Sequence, residues 1–213
     1  MMSEHNVLVL IPSRGLVNAQ TLDSIWREME NTPQVRAWDI QISGRGTTFY
    51  VREKLMELFE KTPEADCALW VDDDVVVPDG CVQTMLDTPG DLVGCHVPNR
   101  GTDDWNGFFK HPDNMRAAGE TVNWCGLALC LMRRDALRVP PPRFGEPKPK
   151  GNTYYGEDNN FNGKCQQYKL QLNHVPLVAK HLELRVLRGR FVEPPLIIDE
   201  PGGHEFHTFP EGK

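Results

Sequence analysis

Apolar positions along the first hundred residues switch between continuous runs and helical spacing. Asn6-Val7-Leu8-Val9-Leu10-Ile11 is a short, nearly unbroken apolar run closed by Pro12-Ser13-Arg14-Gly15. Its length and β-branched content predict a strand buried on both faces that empties into a loop. Leu22, Ile25, Trp26 and Met29 then recur at the spacing of one helix face. Val35 to Ile42 reads as a second strand, and Val51, Leu55, Leu58 and Phe59 mark a second helix. Cys67-Ala68-Leu69-Trp70-Val71 is a third apolar strand that stops abruptly at Asp72-Asp73-Asp74. A short helix after Pro78 uses Val82, Met85 and Leu86, and Leu92 to Cys95 is a short strand.

The second half is less regular. Residues 99–123 are polar, aromatic and turn-rich, whereas Cys125 to Met132 is a long apolar run that predicts a central strand. Residues 139–153 are rich in Pro, Gly and Lys and read as a mobile surface loop. Gly156-Glu157-Asp158 opens a helix with Phe161, Cys165, Tyr168 and Leu172 on one face, and His174 to Ala179 is a last strand before His181. From Val192 the chain is proline-rich and without period, and reads as a tail that wraps the surface. The β-α alternation predicts an α/β fold with a mostly parallel central sheet flanked by helices. Functional groups in such sheets gather outside the carboxyl ends of the strands, which places Arg14 and Asp72–Asp74 at one rim.

The chain has 213 residues, enough for one domain with a sizeable core. Hydrophobic residues make up 39% and charged residues 25%, which sets aside a disordered chain. No apolar run reaches the roughly 18 residues of a membrane span, and the start lacks the pattern of a signal peptide. A cytoplasmic location is the expectation. The 23 basic and 30 acidic residues leave a net charge of −7, so a basic field over the whole surface is absent. The 6 cysteines form no Cys-x-x-Cys pair, and free thiols in a reducing compartment are expected.

Candidate chemistry begins with Asp72-Asp73-Asp74. Adjacent carboxylates at the end of a buried strand repel unless a cation or hydrogen bonds compensate, and hard oxygen ligands suit Mg²⁺ or Mn²⁺. On an extended chain Asp72 and Asp74 point the same way. The plain alternative is a solvated acidic turn. Glu157-Asp158 at a helix start fits either capping or a general base. His181 follows the last strand. His204 and His207 in the tail have i, i+3 spacing, not that of a zinc protease. Arg14 and Arg52 offer planar forks for phosphate. Arg133, Arg134, Arg138, Arg143, Lys148 and Lys150 form one basic stretch (133–150), and Lys180, Arg185, Arg188 and Arg190 another (180–190). Either would draw a polyanionic acceptor, although solvated faces are the plainer reading. Trp105, Trp124 and Tyr154-Tyr155 are aromatic residues in the irregular half.

The order of these pieces resembles a GT-A-fold nucleotide-sugar glycosyltransferase of the family 2 type, over residues 6–185. Val7 to Arg14 is similar to the first strand and nucleotide-binding loop, and Val51-Arg52-Glu53 to the helix before the metal strand. Leu69-Trp70-Val71-Asp72-Asp73-Asp74-Val75-Val76-Val77-Pro78 resembles the Asp-x-Asp motif. Trp124 to Arg134 looks like the acceptor-side strand, Tyr155-Gly156-Glu157-Asp158 like the Glu-Asp motif, and Val175 to His181 like the strand ending in a metal-binding histidine. Glu53 stands where the family often has Asn, and Cys125-Gly126 replaces a more usual Gly-x-Gly.

The resemblance implies a single Rossmann-like GT-A domain over residues 1–191, with the tail at 192–213 on or near the active site. It implies a nucleotide-diphosphate sugar donor, with a uridine diphosphate sugar as the default, and Mn²⁺ or Mg²⁺. Asp74 and His181 would hold the metal, with Asp72 on the donor or on the metal through water. Pro12, Arg14, Arg52, Asp72 and Asp73 would line the donor site. Asp158 would be the base, Glu157 would orient the acceptor, and the anomeric centre would invert. A nucleotidyltransferase, an aspartyl-phosphate phosphatase with Asp72 as nucleophile, and a non-catalytic binding module are the rivals. The acceptor classes left open are a hydroxylated DNA base, a glycan, a protein and a small molecule. For DNA, the basic stretches would supply affinity, and Trp124 with Tyr154-Tyr155 would stack on the base.

Overall fold

The computed structural model describes residues 4–13, 16–43, 47–98, 121–122, 125–145, 148–150, 153–155 and 157–182. Strand β1 (His5–Pro12) leads to helix α1 (Ala19–Asn31), and β2 (Val35–Ser43) to α2 (Thr48–Lys61). Strands β3 (Cys67–Val71) and β4 (Val75–Val76) flank the acidic triplet, before α3 (Cys81–Asp87) and β5 (Leu92–His96). The second half holds β6 (Thr121–Val122), β7 (Leu129–Arg133), a 3-10 turn (Arg134–Arg138), the hairpin β8 (Lys148–Lys150) and β9 (Thr153–Tyr155), α4 (Glu157–Gln167), β10 (Leu172–Val178) and β11 (Lys180–His181).

The main sheet has seven strands in the order β2-β1-β3-β7-β5-β10-β6. β1 pairs in parallel with β2 and β3, and β5 with β10. β7 runs antiparallel to both its neighbours, and β6 runs antiparallel to β10. Five of the seven strands therefore share one direction, which agrees with the mostly parallel sheet expected from the alternation. The chain moves to one side of β1 to make β2 and returns to the other side to make β3. That reversal is a topological switch point at the carboxyl ends of β1 and β3, where the ligand crevice of such sheets usually lies.

Alternation along the strands fills two cores. Leu8, Leu10, Ala68 and Trp70 face the layer built by α2 and α4, with Val51, Leu55, Phe59, Phe161 and Cys165. Val7, Val9, Ile11, Leu69 and Val71 face the layer of α1 and α3, with Ile25, Val82 and Met85. Burial on both faces explains the unbroken apolar runs of β1 and β3. All six cysteines are free and buried, and Cys125 Sγ lies 3.4 Å from Cys130 Sγ. Gly94 on β5 is required by closeness: a Cβ there would stand 2.6 Å from Cys125 Sγ.

Several expectations change. Trp26 is 58% exposed and donates its indole N–H to Glu30, so the apolar face of α1 rests on Leu22, Ile25 and Met29 without it. Tyr168 is 42% exposed, because α4 ends at Gln167 and Lys169 turns the chain with φ 55°. Leu172 accordingly begins β10 instead of continuing the helix. Only Leu129 onward forms the predicted central strand, and residues 125–128 are irregular.

Residues 139–145 are anchored rather than mobile. The backbone N–H groups of Arg143 and Phe144 donate to Glu53 Oε2 at 2.7 and 3.1 Å, and the buried Arg143 guanidinium reaches Glu60 at 2.7 Å. The Phe144 ring stacks on Phe161 with centroids 4.9 Å apart. Glu53, the departure from the family pattern, therefore holds this segment to α2.

The arginines of the stretch 133–150 are also committed. Arg133 donates to the carbonyls of Leu86 and Thr88 at 2.9 Å each, and also to that of Gly90. Arg134 donates to those of Thr62 and Ala65 at 3.0 and 3.1 Å. Both satisfy carbonyls at helix C-termini, where a cation also meets the negative end of the dipole. Arg138 pairs with Asp91 and Asp135. These four arginines are structural, so the expected polyanion-binding surface loses its main charges. Of the second stretch, Lys180 is exposed, and Arg185, Arg188 and Arg190 lie outside the described residues. No helix among the described residues is long and apolar enough to cross a membrane.

Candidate active site

The acidic triplet follows the fully buried β3 at the crevice. It is not extended: the N–H of Val75 donates to the Asp72 carbonyl at 3.1 Å and closes a turn. Strand alternation therefore does not decide where the three carboxylates point. Each residue of the turn is tied to a different part of the fold. The Asp72 N–H donates to the Ala128 carbonyl at 2.8 Å, the Asp73 carbonyl accepts from the Asn18 N–H at 2.9 Å, and the Asp74 carbonyl accepts from the Leu182 N–H at 2.8 Å.

That last bond belongs to a small sheet. β11 pairs antiparallel with β4, with His181 opposite Val75. The pairing sets the imidazole beside the triplet, with His181 Nε2 3.2 Å from Oδ1 of the buried Asp74. On its other side His181 Nδ1 lies 2.8 Å from the Pro98 carbonyl. A carbonyl only accepts, so Nδ1 carries the hydrogen there. Nε2 and a carboxyl oxygen at this distance are bridged by a shared hydrogen or by a cation held by both. The backbone carbonyl on the far nitrogen is the kind of partner that orients metal-binding histidines.

Asp72 belongs to a second cluster. Its Oδ1 accepts from Arg52 Nη2 at 2.9 Å. Burial pushes the Asp72 carboxyl up to about 6, with Arg52 opposing and Asp158, Asp74 and Asp73 adding to the rise. The Asp72 side chain keeps 26% of its surface exposed, so it can still meet a ligand.

The third group is the start of α4. Asp158 Oδ2 accepts the N–H of Leu127 at 3.2 Å, and its buried Oδ1 has no hydrogen-bond partner among the described residues. Burial raises the Asp158 pKa and Glu157 adds to it, while the Arg52 charge and the Leu127 N–H pull the other way. Glu157 Oε1 lies 3.9 Å from Arg52 Nε. The arrangement offers a carboxylate with a raised pKa at the crevice, which suits a general base.

Of the predicted site residues, the structure brings together Asp74 with His181, and Arg52 with Asp72, Glu157 and Asp158. Pro12 ends β1 opposite Ser43. Asp73 contributes its carbonyl to Asn18 and, at 3.4 Å, to the Thr21 hydroxyl. Arg14, Trp105, Trp124, His204, His207 and the side chains of Tyr154 and Tyr155 lie outside the described residues. Two contributors had no place in the sequence reading. The backbone of Leu127 gives its N–H to Asp158 and its carbonyl to Arg52. Asn162 receives the Cys125 N–H at 2.8 Å and donates to the carbonyls of Cys125 and Asp158 at 2.9 and 2.7 Å. The available signal for Asn162 was a polar residue four positions after Asp158, between the apolar Phe161 and Cys165.

The chain matches no family model and no curated protein. Its fold is similar to that of solved structures. A197 from STIV shares 21% identity with a TM-score of 0.58, over 84% of this chain and 86% of that one. TarS from S. aureus (residues 1–349), a GT-A-type glycosyltransferase, shares 12% identity with a TM-score of 0.52 over 83% of this chain. The match spans 60% of that TarS chain. These likenesses show that the chain shares its α/β fold with both structures.

Proposed function

We propose that this protein is a metal-dependent glycosyltransferase that moves a sugar from a nucleotide diphosphate to an acceptor hydroxyl. The observation that carries the reading is the meeting of Asp74 and His181, far apart in sequence, at 3.2 Å beside the crevice. A carboxylate oxygen and an oriented imidazole nitrogen form a donor set that fits Mn²⁺ or Mg²⁺. Among the described residues no three His, Cys, Asp or Glu side chains converge on one metal position. The remaining ligands would be water and the oxygens of the donor's diphosphate, so metal and donor would bind together. The cation would supply charge neutralisation for the leaving diphosphate.

The chain's own residues would do the rest. Asp158 takes the proton from the acceptor hydroxyl as that oxygen attacks the anomeric carbon. The bond from that carbon to the diphosphate breaks, and the diphosphate departs with the electron pair. Attack from the side opposite the leaving group inverts the centre. Glu157 orients the acceptor, and Asp72, with its remaining exposed oxygen surface, meets the donor. Pro12, Arg14 and Asp73 would line the nucleotide, with a uridine diphosphate sugar the first donor to test. A phosphatase reading gains less support, because the would-be nucleophile Asp72 is engaged by Arg52. With Arg133, Arg134 and Arg143 bound to the fold and the exposed Arg138 paired with Asp91 and Asp135, a glycan, protein or small-molecule hydroxyl is a better acceptor than DNA.

The test is calorimetric binding of uridine, guanosine and thymidine diphosphates, with and without Mn²⁺, to wild type, Asp74→Asn and His181→Ala. One nucleotide should bind only with metal, and each substitution should weaken it by about 10- to 100-fold. Binding of no nucleotide by folded wild type, or binding indifferent to metal and to both substitutions, overturns the reading.

A further inference from the structure

Arg52 is a deeply enclosed cation of the site, with 3% of its side chain exposed. Its ligands come from three separate segments. Nη2 donates to Asp72 after β3 at 2.9 Å, Nη1 donates to the Leu127 carbonyl before β7 at 3.2 Å, and Nε lies 3.9 Å from Glu157 at the start of α4. The guanidinium carbon also lies 5.7 Å from the centroid of the Trp70 ring, within reach of a cation–π contact. We propose that Arg52 is a positioning residue that holds the donor-side carboxylate Asp72 and the acceptor-side pair Glu157–Asp158 in one fixed geometry, and that it is not itself a ligand for the donor's phosphates. The catalytic consequence rests on the glycosyl-transfer reading; the structural one does not.

Three observations separate this role from the phosphate-binding role that the sequence suggests. First, the guanidinium is covered: Nη2 is on Asp72, Nη1 is on the Leu127 carbonyl, and Nε, which makes no hydrogen bond among the described residues, is buried, so a diphosphate would have to open the site to reach it. Second, the partners are anionic or carbonyl oxygens already, and a buried arginine stripped of them would leave carboxylates uncompensated. Third, Leu127 couples the two sides. Its carbonyl is held by Arg52 while its N–H is held by Asp158 Oδ2, so the two peptide groups that flank one residue link the guanidinium to the base. Asn162 fixes the same segment at Cys125. Lysine carries the charge but not the fork, and it cannot reach Asp72 and Leu127 along two directions at once.

Arg52→Lys and Arg52→Gln, compared with wild type, test the proposal by three readouts. Single-turnover transfer should fall about 100-fold in Arg52→Lys, as expected when reacting groups shift by about 1 Å, while the nucleotide Kd stays within about threefold. Amide hydrogen exchange at Leu127 and Cys125 should quicken about tenfold, with α1 unchanged, because these bonds open locally once the peptide is released. In wild type, nucleotide saturation should leave the NMR signal of the Arg52 Nε–H in place. The last two readouts are independent of turnover and of whether Arg52→Gln folds. Wild type that binds no nucleotide would sink the glycosyltransferase reading, while the exchange data would still judge the positioning role. A Kd that weakens as much as the rate, unchanged exchange at Leu127, or a nucleotide-dependent shift of Arg52 Nε–H would overturn the positioning role.

Discussion

Asp158 is held in a setting that opposes its charge. Burial and Glu157 raise its pKa, and only Arg52 and the Leu127 N–H favour the ionised form. A base must be ionised to accept a proton, so activity should fall as pH drops through the pKa of Asp158. Because that pKa is raised, the fall begins at a higher pH than for an ordinary aspartate. Asp158→Asn should lower kcat by about 10²- to 10⁴-fold and remove the acid limb of the rate profile, with donor affinity little changed. A persistent limb with near-normal kcat would assign the proton transfer to another group. At this scale the sequence placed Asp72, Asp74 and His181 at the ends of apolar runs, and the structure sets His181 beside Asp74. Contacts that depend on partners from other elements were not legible. The sequence does not show that Asp72 lies against Arg52, and the backbone of Leu127 has no side-chain signature at all.

Elements hold the site by borrowed caps. The buried Glu28 of α1 accepts the N–H groups of Gly80 and Val82 at 2.7 and 2.8 Å, so one helix supplies the N-terminal cap of α3. Ser24, one turn earlier on α1, accepts the Val77 N–H at 3.0 Å. Together they seat the segment that follows the triplet. Glu28→Ala leaves two N–H groups without their carboxylate in a buried place and should cost about 2–3 kcal/mol in urea unfolding. A loss under about 0.5 kcal/mol would mean that water replaces the carboxylate. The strands with two buried faces were legible because their apolar runs are unbroken. The face of α1 was misread at Trp26 because periodicity marks positions, and an indole can lie on the surface while its N–H finds Glu30. The run from Cys125 to Met132 was taken as one strand because apolar content cannot show that Leu127 turns its peptide groups toward Asp158 and Arg52.

At the scale of the whole molecule, fold class and strand direction were legible from the β-α alternation, and the likeness to solved structures agrees with them. Strand order was not. Nothing in the period of Leu129–Arg133 says that β7 enters between β3 and β5, antiparallel to both. That placement has a consequence for how the protein is made. A ribosome delivers β1 to β5 first, as the three strands β2-β1-β3 and a separate strand β5, whose facing edges have no partner until the chain reaches residue 133. The last residue of β7 and its neighbour, Arg133 and Arg134, then fasten α3 on one layer and α2 on the other. β7 therefore closes the middle of the sheet late, before α4 and β10 complete it, and until then β3 and β5 present open edges to chaperones or to each other. Stalled nascent chains of increasing length should stay protease-sensitive when they end at Val122, gain a first step of resistance once Arg134 has left the exit tunnel, and gain the rest once Val178 has. Resistance already complete at Val122 would mean that the first half of the sheet closes by some other pairing.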